Sequence, residues 1–110
     1  FEGLLARIEA DVGRIRERGG EVVFVRLPSS GWFREAEARM TPRDRVWENV
    51  LLAADAVGVH FEDYPELADI PTPEWSHVSA RDKERLTRAL VRILRERLAE
   101  RGINRSELEP

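Results

Sequence analysis

The chain has 110 residues, 42% of them hydrophobic and 35% charged, with 21 acidic against 18 basic side chains and a net charge of −3. This length suits one domain, and the near balance of signs argues against the basic face of a nucleic-acid binder. The absence of cysteine excludes disulfides and thiolate metal sites, and no apolar run approaches the roughly 20 residues that cross a bilayer. Lys83 is the only lysine, which reads as the coding bias of a GC-rich genome rather than as guanidinium chemistry. No signal peptide is visible. The chain begins at Phe1, not Met, so its start is expected to be a processing or domain boundary with any targeting segment upstream. The compartment stays open.

Phe1, Leu4, Leu5, Ile8, Val12 and Ile15 recur at three- and four-residue steps and make one apolar stripe, so an amphipathic helix is expected first. Gly19-Gly20 stops it. Residues 21–27 read as a strand. Its Val22-Val23-Phe24-Val25 run has no polar alternation, as in a parallel strand covered on both faces. Pro28 ends it and Ser29-Ser30-Gly31 forms a turn. A short helical stretch follows at residues 32–40. A better helix is expected after it: Thr41 as cap, Pro42 at the first position, Asp44 as the capping-box acid, and Val46, Trp47, Val50, Leu51 and Ala54 on its buried side. Gly58 lies past its end.

Residues 59–64 read as the second strand, with Val59 and Phe61 on one face and His60 and Glu62 on the other. Residues 65–77 form an irregular, proline-containing segment, too long for an ordinary connection. The last helix is expected to begin at Ser79, with Asp82 completing a second capping box and Leu86, Ala89, Leu90, Ile93, Leu94 and Leu98 on its apolar face. Gly102 ends it and a polar tail covers residues 103–110.

The order helix-strand-helix-strand-helix is a βαβ unit with a helix at each end, in one α/β domain of residues 1–102. A helical crossover makes the strands parallel. Two parallel strands make a narrow sheet with unpaired edges. Further strands are therefore expected from chain outside this sequence, a second copy or another protein. In the alternative, helices and loops shield the edges of a compact fragment.

The most informative stretch is Pro73-Glu74-Trp75-Ser76-His77-Val78-Ser79. It puts a histidine just before a helix, three residues after a carboxylate, where a general base beside its orienting acid would sit. Ligands of open α/β sheets bind outside the carboxyl ends of the strands. That edge collects Ser29, Ser30, Asp63, Glu74 and His77. Asp63 is a rival acid, though a turn-forming role suits it better. Ser29 and Ser30 are substitute nucleophiles only if they are more than a turn. His60 is read as packed at a strand end rather than as a ligand, and the two histidines have no zinc spacing. Trp47 is expected in the core; Trp32 and Trp75 are expected in loops, as anchors or as pocket walls.

The runs Gly20-Glu21-Val22-Val23-Phe24-Val25-Arg26-Leu27-Pro28, His60-Phe61-Glu62-Asp63-Tyr64-Pro65 and Trp75-Ser76-His77-Val78-Ser79 resemble the carboxyl-terminal half of SGNH/GDSL-type hydrolases. The resemblance covers the chain from the first strand to the last helix. It implies part of a flavodoxin-like three-layer α/β/α fold and an acyl-ester or acylated-carbohydrate substrate, with no cofactor and no metal. His77 falls on the family's catalytic histidine. Glu74 falls on its aspartate, a departure that adds one methylene. Trp75, Ser29 and Ser30 become substrate-binding candidates. Neither a Gly-Asp-Ser turn nor a Gly-x-Asn-Asp run is present, so the nucleophile would lie outside this chain. Relatives that modify carbohydrates suggest a bacterial envelope location. The competing expectation is a noncatalytic α/β module that associates through its open sheet edges.

Overall fold

The computed structural model describes residues 1–103; residues 104–110, most of the expected polar tail, lie outside the described residues. The elements run α1 (Glu2–Glu17), β1 (Val23–Arg26), α2 (Gly31–Met40), α3 (Trp47–Ala54), β2 (Val57–His60), a 3-10 turn (Phe61–Asp63), α4 (Pro65–Ala68) and α5 (Lys83–Glu100). This is a mixed α/β chain in which β1 and β2 form a two-stranded parallel sheet. No helix among the described residues is long and apolar enough to cross a membrane.

The described residues divide into two compact units. The first comprises Phe1–Phe24 and Ala36–Gly58. Here α1 packs on α3, and Val12, Ala54 and Val57 are buried. The stripe on α1 is only partly covered, since Phe1, Leu4 and Ile15 stay exposed. The Arg16 guanidinium reaches from α1 to the end of α3. Its Nη1 donates to the Ala54 carbonyl at 2.8 Å and its Nη2 to that of Asp55 at 2.7 Å. Its Nε pairs with Glu21 at 3.0 Å. A cation at the carboxyl end of a helix meets the negative end of the macrodipole and the carbonyls left without helical partners.

The second unit comprises Val25–Glu35 and the described chain from Val59. Val59, Phe61, Leu67, Ile70, Ala89, Ile93 and Leu98 form its buried core. Ala89, Ile93 and Leu98 lie on the expected apolar face of α5. Tyr64 ties this helix down from the side, its hydroxyl accepting from Arg97 Nη1 at 3.0 Å. That bond, ahead of the cost of burial, holds the Arg97 guanidinium above its ordinary pKa.

Several boundaries differ from expectation. Thr41 does not cap α3; its hydroxyl donates back to the Glu37 carbonyl at 2.9 Å, at the end of α2. Residues 42–46 form turns, and α3 begins at Trp47 with no side-chain cap. Trp47 is half-buried rather than core. Asp55, in the left-handed conformation at φ 47°, ends α3 in place of Gly58. Gly58 instead lies inside β2, where a Cβ would stand 2.4 Å from Leu51 Cδ1. The second strand therefore starts and stops earlier than its β-branched residues suggest, and all four of its residues are buried. His60 does not alternate away from Phe61, which opens the 3-10 turn: the two rings stack on each other. α5 begins at Lys83, because residues 79–82 close a turn first: Asp82 N–H donates to the Ser79 carbonyl at 3.0 Å.

Candidate functional site

Every candidate site residue belongs to the second unit. β1 ends at Arg26, and its side chain turns back over the loop that follows, with Nη1 on the Leu27 carbonyl at 2.9 Å and Nη2 3.4 Å from Ser29 Oγ. Ser29 is only 5% exposed. Ser30 joins this loop to the irregular segment in two ways. Its N–H donates to the Trp75 carbonyl at 2.9 Å. Its hydroxyl donates to the Thr72 carbonyl at 3.2 Å and pairs with Thr72 Oγ1. Both serine hydroxyls thus have intramolecular partners, and neither is among the partners of His77.

The segment itself turns at residues 72–75, where Trp75 N–H donates to the Thr72 carbonyl at 2.8 Å. Pro73 takes the second position of this β-turn, which suits its fixed φ. Trp75 then enters the left-handed region at φ 71°. A bulky residue pays roughly 1–2 kcal/mol for that backbone. Its indole lies over Gly31, where a Cβ would meet Trp75 Cδ1 at 2.9 Å. Gly31, itself at φ 56°, is therefore fixed twice, by its backbone and by the ring above it.

Glu74 and His77 flank this reversal and meet: Glu74 Oε1 bonds to His77 Nδ1. An ionised carboxylate only accepts, so the pairing places a ring proton on Nδ1, and in the neutral imidazole Nε2 is then the bare nitrogen. Ser76 Oγ lies 3.0 Å from the same Nδ1. Among the described residues, no hydrogen bond reaches His77 Nε2. The pair is solvated, with 76% of the histidine side chain and 67% of the glutamate side chain exposed.

The remaining candidates divide by environment. Asp63 ends the 3-10 turn rather than joining His77. His60 is buried, its Nδ1 accepts from Glu62 N–H at 3.2 Å, and its ring stacks on Phe61 with centroids 5.2 Å apart. Trp32 is on the first turn of α2, not in a loop, and is exposed. Trp75 is half-exposed, with one edge engaged by Gly31.

Three features were outside the sequence reading. Thr72 is buried as the partner of Ser30; the only signal for it was the turn-forming Pro73 after it. Arg26 and Arg34 both lie over the Phe61 ring, at 5.8 and 5.1 Å from its centroid. Arg34 also pairs with Glu62 at 3.5 Å. Among the described residues, no group of three or more His, Asp or Glu side chains is placed to hold a metal ion. Comparison with protein-family models, with curated proteins and with solved structures gives no match.

Proposed function

We propose that this chain carries the base-and-acid part of an SGNH-like acyl-transfer site, within a flavodoxin-like three-layer fold completed by strands and a nucleophilic serine from outside the chain. One observation carries the reading: Glu74 engages Nδ1 of His77 while Nε2 has no partner among the described residues. That is the division of labour a general base needs. Nε2 takes the proton of the serine hydroxyl as its oxygen bonds to the acyl carbon, then returns it to the departing alkoxide. Water repeats the exchange and frees the serine. Glu74 keeps the imidazole in the useful tautomer and stabilises the imidazolium between the two transfers.

The solvation of the pair fits an incomplete site. An exposed hydrogen-bonded pair contributes little in water, and base catalysis gains when the site is covered. In this reading the segment that brings the serine, together with an acyl ester or acylated carbohydrate, covers the ring. The half-exposed Trp75 lines the approach, whereas Ser29 is buried and the Ser30 hydroxyl is bonded to Thr72. Fluorophosphonate labelling of the full-length gene product tests the proposal. Labelling of a serine outside these 110 residues, lost on His77→Ala, is the expected result. Labelling unaffected by His77→Ala, or none at all, removes it.

A second reading rests on the sheet. Among the described residues it has two strands, and β1 is less completely buried than β2. A noncatalytic module would use that open edge for protein association. Absence of any reactive serine, together with strand addition by a partner, favours this reading.

A further inference from the structure

We infer that Trp75 is a positioning residue, whose indole latches onto Gly31 and thereby fixes the backbone reversal that brings Glu74 to His77. The inference rests on the proposed role of that pair and names what holds it. Glu74 and His77 are too exposed for packing of their own to place them. Between them stands Trp75, in a left-handed conformation at φ 71°. A strained backbone persists only where its surroundings over-determine it. Three contacts do so here, and all involve the turn and the loop after β1. Trp75 N–H donates to the Thr72 carbonyl, the Trp75 carbonyl accepts from Ser30 N–H, and the indole edge lies where a side chain on Gly31 would be.

The latch explains why Gly31 opens α2. Any Cβ there would stand 2.9 Å from Cδ1 and 3.0 Å from Nε1 of the indole. It also explains why an exposed tryptophan occupies a backbone state that glycine adopts more cheaply. The ring holds the loop; glycine would relieve the strain and leave the loop unanchored. Trp75 acts through its neighbours: among the described residues the hydrogen-bond partners of the imidazole are Ser76 and Glu74, not the indole.

Two NMR readouts on the full chain test this, one for the latch and one for its consequence. The Ser30 amide reports the latch through its hydrogen-exchange rate. The 15N shifts of the His77 ring at a pH where it is neutral report the tautomer. Trp75→Ala and Gly31→Ala are each expected to speed Ser30 exchange by about tenfold, the effect of losing a clamp of this size. Both are also expected to shift the ring from Nδ1–H toward Nε2–H, whereas Trp75→Phe retains the wild-type pattern. Should Trp75→Ala unfold the chain, Gly31→Ala still displaces the ring, and amide dispersion shows whether the fold survives. If Ser30 exchange quickens while the tautomer stays Nδ1–H, the latch exists but positions nothing, and the inference is overturned. If Glu74→Ala, which removes the acceptor, leaves the tautomer unchanged, the reading of the pair falls instead.

Discussion

Gly58 shows how one missing side chain sets a packing distance. It sits in β2, and a Cβ would lie 2.4 and 2.6 Å from the two methyl carbons of Leu51 and 3.0 Å from its Cγ. The Leu51 side chain would have to change rotamer as a whole. Overpacking of this kind costs about 1–3 kcal/mol, so Gly58→Ala is expected to lower the unfolding free energy measured by urea denaturation by that amount. In a double-mutant cycle, Leu51→Ala is expected to absorb much of the penalty. Additive losses would show that Gly58 is needed for its backbone rather than for its space. At Gly31 the neighbouring ring plays the part that Leu51 plays here.

At the scale of elements, the end of α3 depends on a side chain from another helix. Arg16 supplies two charge-assisted bonds to the Ala54 and Asp55 carbonyls. Arg16→Ala is expected to destabilise the chain by about 1–3 kcal/mol, and Arg16→Lys to recover only part, because an ammonium cannot span both carbonyls with a planar fork. Equal stability of wild type and Arg16→Ala in urea denaturation would contradict this. No local pattern announced that role, since the partners of Arg16 lie 38 and 39 residues away. What the sequence did show were elements whose signal is periodic: α1, and α5 with Ala89, Ile93 and Leu98 on its inner face. Boundaries set by competition were not legible. Thr41 bonds backward to α2 rather than forward to α3. β2 slides onto Val57 and Gly58 because Gly58, which resembles a helix stop, gives the close approach to Leu51. The Glu74–His77 pairing was legible from spacing alone, whereas the left-handed Trp75 that makes it was not.

For the molecule as a whole, the division of labour follows the two compact units. One holds α1 and α3; the other gathers both strand ends, the candidate site and α5. Among the described residues the sheet has two parallel strands, fewer than such sheets ordinarily have. The proposed function turns that shortage into an expectation: the remaining strands, the serine and the cover over His77 come together from one source. It therefore concentrates on a single ring. The most direct measurement is turnover of a short acyl ester by the full-length gene product, wild type against His77→Ala, with circular dichroism to show that both are folded. A loss of about 10³-fold or more is expected when one member of such a catalytic unit is removed. Equal turnover by a folded His77→Ala protein would contradict the account.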